Sequence, residues 1–201
     1  MLRSSTKNRI IPSLSKLKDF LESGHEVARL LKRSAWFLTT DLDESLMPNV
    51  EILKSCGIPM ERIHHFLYIR PRCFLVKPHI MRKSVDKAIE IGASKASVNF
   101  IFLVGLFALK SKRMWEVKWQ SLRNLGFSDN DMFVILRKHP TVFAVSGNKI
   151  KNVKDLLVAT SKYNMSSIVT CPSVLGCSIE KRLEPRLQIL RLVDSRNLIA
   201  K

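Results

Sequence analysis

The side chains of this chain best suited to chemistry are cations. Arg70, Arg72 and Lys77 flank the prolines of IRPRCFLVKP, and Arg82 and Lys83 follow a few residues on. Lys149, Lys151 and Lys154 sit in the stretch opened by Ser146. Lys181, Arg182, Arg186 and Arg191 sit in SIEKRLEPRLQILRLV. On a helix Arg182 and Arg186 share a face, and Leu183, Leu187 and Leu190 fill the neighbouring stripe, so one side can pack while the other reaches phosphates. A guanidinium offers a planar donor fork that matches phosphate oxygens; an ammonium offers a point charge. These residues are the candidate nucleic-acid-binding set. Such contacts carry affinity and little sequence information, and no base code can be named from them.

The overall balance supports that choice. The chain has 201 residues with 34 Lys and Arg against 17 Asp and Glu, a net charge of +17. Residues 1–100 hold 17 basic and 10 acidic side chains, net +7; residues 101–201 hold 17 and 7, net +10. The excess is therefore not a tail, and it favours a polyanionic partner, nucleic acid ahead of an anionic membrane surface. A merely solvated basic face is the alternative, with Glu180 and Glu184 as partial neutralisers.

Other chemistries find little support. Trp36, Trp115 and Trp119 could stack on bases, but Trp115 and Trp119 stand four apart and suit packing better. His25, His64, His65, His79 and His139 show no ligand spacing, so no metal is expected. Cys56, Cys73, Cys171 and Cys177 form no C-x-x-C pair, and their apolar contexts predict buried free thiols. There is no glycine-rich phosphate loop, dinucleotide fingerprint, H-E-x-x-H or nucleophile elbow. The expectation is a protein that is not an enzyme and needs no cofactor.

The elements that must position the cations are helices. Ser128 with Asp131 opens one as a capping box, with Met132, Ile135 and Leu136 on its apolar face; Pro140 ends it at His139. After the short apolar TVFAV, Ser146 opens a second, with Ile150, Val153, Leu156 and Leu157 inward. The rest of the chain repeats this unit imperfectly. Second helices are expected over about Lys7 to Glu22, Asp41 to Ile58 with Asp41 and Glu44 at its start, KPHIMRKSVDKAIEIGA, SKRMWEVKWQSLRNLGF and SIEKRLEPRLQILRLV. Closing glycines at 57, 92 and 126 are 35 and 34 apart. Breaks at Ala35, Pro71, Leu106, Pro140 and Pro172 are 36, 35, 34 and 32 apart. Pro12, Pro48 and Pro185 recur early in second helices and predict a repeated kink. A period of this length with two amphipathic helices means an all-α chain, an α-solenoid of repeats of about 32–36 residues. It reads as a single array: a partial repeat over 1–24, repeats over 25–58, 59–92, 93–126 and 127–163, and a last one over 164–201. The apolar run Phe100 to Leu109 is too short to span a bilayer and reads as a buried helix, so no membrane insertion is expected. Leu198 and Ile199 lack a polar cap, so exposed apolar surface is expected at both ends.

IRPRCFLVKP, KHPTVFAVS and TCPSVLGCSIEKRLEPRLQIL, with LGFSDNDMFVILRKHPTVFAVSGNKIKNV, resemble the mitochondrial transcription termination factor (mTERF) family, most closely its plant members. The likeness covers nearly the whole chain and rests on the combination of segments. It implies three-helix repeats stacked into a curved superhelix with a basic concave face. It further implies a monomer that binds double-stranded nucleic acid, DNA ahead of RNA, in mitochondria or chloroplasts, and works in transcription, its termination or RNA processing. The chain starts inside a repeat with no clear targeting peptide, which suggests a truncated member. The other function class compatible with the same fold is a protein-interaction scaffold whose charge serves an acidic protein partner.

Overall fold

The computed structural model describes residues 9–195; the expected helix start at Lys7 and the Leu198–Ile199 end lie outside them. Among the described residues there are eleven α-helices and no strand. The chain divides into two compact units, 1–112 and 113–201. The first holds α1 (Ile11–Leu21), α2 (Gly24–Arg33), α3 (Leu46–Ser55), α4 (Met60–Ile69), α5 (Pro78–Glu90) and α6 (Phe100–Leu109). The second holds α7 (Lys112–Arg123) from its second residue on, α8 (Asp129–Lys138), α9 (Gly147–Ala159), α10 (Met165–Thr170) and α11 (Glu184–Ser195).

Short 3-10 turns, Ala35–Leu38, Pro71–Leu75, Pro140–Ala144 and Pro172–Gly176, separate first from second helices. A proline is tolerated at the start of such a turn, and it pushes the preceding residue out of the helical region. Arg70 (φ −135°, ψ 58°), His139 (−154°, 71°) and Cys171 (−125°, 68°) all show this. Ser34 takes the same shape (−154°, 91°) ahead of Ala35, so the corner survives there without the imino acid. The break expected at Leu106 does not occur. That residue keeps its amide hydrogen, and α6 runs through it to Leu109 with no 3-10 turn before α7.

The prolines expected to kink second helices sit at helix starts. Pro12, Pro48 and Pro185 lie in the first turns of α1, α3 and α11, where a missing N–H leaves no ladder bond unmade. The accommodation happens upstream, where the chain widens to five-residue spacing. Met47 N–H donates to Leu42 O at 2.9 Å, Leu183 N–H donates to Ser178 O at 3.1 Å, and Ile179–Leu183 is a π turn. The helix expected from Asp41 accordingly starts at Leu46. The Asp41 carboxylate instead closes a turn by accepting from the N–H groups of Asp43 (2.9 Å) and Glu44 (3.2 Å).

Helix ends repeat more strictly than the glycines suggest. Gly57, Gly92 and Gly126 have φ of 79°, 77° and 90°, and among the described residues the non-glycine residues with positive φ are Glu22 (55°) and Ser161 (57°). The five positions are 35, 35, 34 and 35 residues apart. At Gly57 the N–H donates to Lys54 O (2.8 Å) and that of Ile58 to Leu53 O (3.4 Å), the paired bonds of a Schellman end; Gly126 and Phe127 do the same onto Arg123 and Leu122.

Each unit has its own core. In the first, α2 packs on α4, α3 on α5 and α5 along α6, burying Leu30, Phe37, Leu53, Phe66, Phe74 and Met81. Gly105 of α6 lies against the Phe66 ring; a Cβ there would stand 2.4 Å from Cζ of Phe66 and 3.0 Å from Cys73 Sγ. Asn49, fully buried on α3, donates from Nδ2 to Phe74 O (3.0 Å) and Val76 O (2.7 Å), tying down the next 3-10 turn. In the second unit α8 packs on α10 and α9 on the last 3-10 turn, around Ile135, Phe143, Ile150 and Val153. The capping box of Ser128 and Asp131 forms as expected. Exposed apolar residues occur along the whole described chain, with Val98, Val117 and Val158 as well as Ile11 on α1 and Ile189 and Leu192 on α11, and so do not single out its two limits.

Two substitutions test this account. Gly105→Ala should destabilise the protein by about 1–3 kcal/mol, because the methyl overlaps a packed ring; an unchanged urea midpoint would contradict the close approach. Ser161→Gly should raise stability by about 0.5–1 kcal/mol by removing the left-handed penalty, whereas Gly126→Ala should lower it by about 1 kcal/mol; midpoints moving the other way would contradict the in-phase assignment.

Candidate nucleic-acid interface

In the first unit the candidate cations gather about one corner. Arg70 is the extended residue before the turn, Arg72 lies in it, and Lys77 caps the N-terminus of α5. Arg82 and Lys83 are exposed, opposite the buried Met81, Val85 and Ala88 of the same helix. None of these side chains has a hydrogen-bond or ion-pair partner among the described residues. Lys32 and Arg33, in the last turn of α2 just before the preceding corner, are likewise exposed. The sequence reading missed them. Their position at the end of a first helix, immediately ahead of a break, was the available signal.

The second unit splits its set. The three α9 lysines are engaged within the protein. Lys149 donates to Gly176 O (2.9 Å), Lys154 to Leu125 O (3.1 Å), and Lys151 pairs with Asp155 at 3.0 Å. Lys181, Arg182, Arg186 and Arg191 are exposed and have no partner among the described residues. Leu183 and Leu187, one position on from Arg182 and Arg186, are both buried, so the two guanidiniums flank a packed stripe.

The helices differ in how they meet their own dipoles. First helices α2, α4 and α8 open with acids (Glu26; Glu61; Asp129 and Asp131), and α2 and α8 end with bases, as a macrodipole favours. Second helices α3, α5, α7 and α9 have no acid in their first turns. Lys77 and Lys149 sit at or near the N-termini of α5 and α9, the unfavourable end for a cation, at roughly 0.3–1 kcal/mol each. At the Pro71 corner Arg70 and Arg72 therefore meet an α5 start with no acid in its first turn, and at the Pro140 corner α8 brings Arg137 and Lys138 ahead of α9, which has none either. α11 departs from this with Glu184 in its first turn.

Other titratable groups are structural. Asp129 is held below the usual carboxylate range by Arg123, which donates to it at 2.8 and 2.6 Å, and by Trp119 Nε1 at 2.9 Å. Trp119 also packs on Phe133 and Phe143, and Trp115 on Phe143. Burial pushes the Cys73 thiol up to about 12. The cysteines are all free, but Cys73 alone is buried; Cys171 is exposed and Cys56 and Cys177 are half-buried, because corners and helix ends leave one side of their apolar segments open. Among the described residues no helix is long and apolar enough to cross a membrane.

The chain matches the mTERF family over residues 1–201. It is similar to the chloroplastic transcription termination factor MTERF8 of Arabidopsis thaliana, with 19% identity over 151 residues, which is 75% of this chain. The aligned part is 30% of that relative, so this chain corresponds to less than a third of its length. A match along the whole sequence, together with helix pairs returning every 34 or 35 residues, leads to one conclusion: the chain belongs to the mTERF family and has its helical-repeat α-solenoid fold.

Proposed function

We propose that this protein is a non-enzymatic regulator of organellar gene expression that binds double-stranded nucleic acid, DNA ahead of RNA, through the exposed cations at its helix corners. The observation that carries this is the charge arrangement at Arg70, Arg72, Lys77, Arg82 and Lys83. Unpaired bases meet acid-free helix N-termini there, a costly arrangement for the isolated protein that an incoming phosphate backbone relieves. Lys181, Arg182, Arg186 and Arg191 form the corresponding set of the second unit. The engaged lysines, Lys149, Lys151 and Lys154, play a lesser part, since a phosphate must displace a carbonyl or a carboxylate to reach them. Transcription, its termination or RNA processing is the process served, in a chloroplast or mitochondrion; the relative's name supports this. The repeats over 25–58, 59–92, 93–126, 127–163 and 164–201 act as one array, as a monomer. No metal or cofactor is required.

The test is duplex binding at several salt concentrations. The affinity should fall steeply with salt, with a slope near −0.9 for each phosphate neutralised. The triple variant Arg72→Gln, Lys77→Gln, Arg82→Gln should lose about tenfold or more in affinity and flatten the slope by about 2–3. A control with equal charge loss, Lys18→Gln, Lys54→Gln, Lys87→Gln, should stay within about twofold of the parent. Salt-independent binding, or equal losses in both triples, would contradict the assignment. Capture of an acidic protein that duplex cannot displace would favour the scaffold instead.

A further inference from the structure

The last of the first helices is short. α2, α4, α6 and α8 each have ten residues, and α10 has six. The shortfall is about 6 Å of helix. It also costs apolar cover: α4 buries Ile63, Phe66 and Leu67 and α8 buries Met132, Ile135 and Leu136, whereas α10 buries Ile168 alone. A hollow of about 220 Å³ is left between the end of α9, α10, the last 3-10 turn and α11. Its apolar lining belongs to the core of the second unit, with Leu157, Ile168, Leu183 and Leu187 all buried. Tyr163 and Arg186 also line it, and neither side chain has a hydrogen-bond or ion-pair partner among the described residues. None of the lining residues is acidic. The apolar surface favours an occupant that releases its water, and the guanidinium favours a carboxylate that fits its donor fork. An aliphatic carboxylate meets both demands in one molecule. The volume lies below the range of about 300–1,000 Å³ typical of clefts for drug-sized ligands, so the occupant is a single short chain.

We propose that this hollow binds a short aliphatic carboxylate, its chain among Leu157, Ile168, Leu183 and Leu187 and its carboxylate held by Arg186 and Tyr163. All of these residues lie within the second unit. Arg186 is also one of the cations offered to phosphates above, so a bound carboxylate takes one contact from that set. The site itself does not depend on the nucleic-acid reading.

The probe is octanoate, and the reporter is Cys171, which is exposed and lines the hollow. Alkylation of the full chain by N-ethylmaleimide is followed thiol by thiol by mass spectrometry. Cys56 and Cys177, half-buried and outside the lining, are the references. Octanoate should slow alkylation of Cys171 in a saturable way, about tenfold at about ten times its dissociation constant, and leave both references unchanged. Octanol has the same chain without the charge and should protect only at about tenfold higher concentration or more, the share of one charge-assisted hydrogen bond. Arg186→Gln should weaken octanoate by a similar factor and leave octanol nearly unaffected. Leu190→Trp should fill the hollow and abolish protection by both, with a circular dichroism spectrum like that of the parent. Unchanged reactivity of Cys171 at about 1 mM octanoate overturns the site. Equal slowing of all three thiols, the mark of surfactant adsorption, also overturns it, as does octanoate protection that survives Arg186→Gln in full. No nucleic acid enters these measurements, so their failure leaves the function proposed above standing.

Discussion

Every corner in this protein poses the same hydrogen-bonding problem. A helix that stops at an extended residue and turns through a 3-10 segment leaves carbonyls with no ladder partner. The solution recurs: a side chain from a neighbouring helix donates to them. Asn49 serves Phe74 and Val76, Lys118 serves Val145, Lys149 serves Gly176, and Lys138 reaches Thr170 at the end of α10. Asn49 to Val76, Lys118 to Val145 and Lys149 to Gly176 each span 27 residues. Repeat stacking within each unit is thus specified by directional bonds as well as by apolar burial, and a slip of one residue would strand both donor and carbonyl.

This divides the basic residues into two groups with different duties. Lysines whose ammonium groups meet backbone carbonyls, among them Lys118, Lys138, Lys149 and Lys154, help hold the architecture together. Those such as Arg70, Arg72, Lys77 and Arg182 stand in water with no partner among the described residues. The carbonyls that the first group serves, and Arg70, Arg72 and Lys77 of the second, lie at or near helix ends, where exposed peptide dipoles make charge matter most. A fold built on helix corners therefore concentrates cations by its own structural needs, and the surplus beyond those needs is what a polyanion can meet.

Much of this was legible in the residues. Proline marks a corner because it lacks an amide hydrogen and restricts its predecessor, so Pro71, Pro140 and Pro172 could be placed to the residue. Ser128 and Asp131 announce a helix start by local chemistry alone. What could not be read is non-local or conformational. Glu22 and Ser161 complete the left-handed register although neither is glycine, so their residue types gave no sign of it. Leu106 fell at a period position, yet Gly105 beside it fits closely under Phe66 and lets α6 pass straight through. Periodicity put the α9 lysines outside the apolar face, but only the fold shows that Lys149 and Lys154 reach carbonyls 27 and 29 positions away. Trp36 belongs to the apolar AWFL, which gave no sign that its indole would face water.

The most direct check on the corner-centred account is lysine acetylation footprinting read by mass spectrometry, with and without a saturating duplex. Lys32, Lys77, Lys83 and Lys181 should become protected, while Lys18, Lys54 and Lys87, which lie on helix bodies or ends away from the corners, should react as before. Protection spread evenly over all lysines, or confined to the second group, would contradict it.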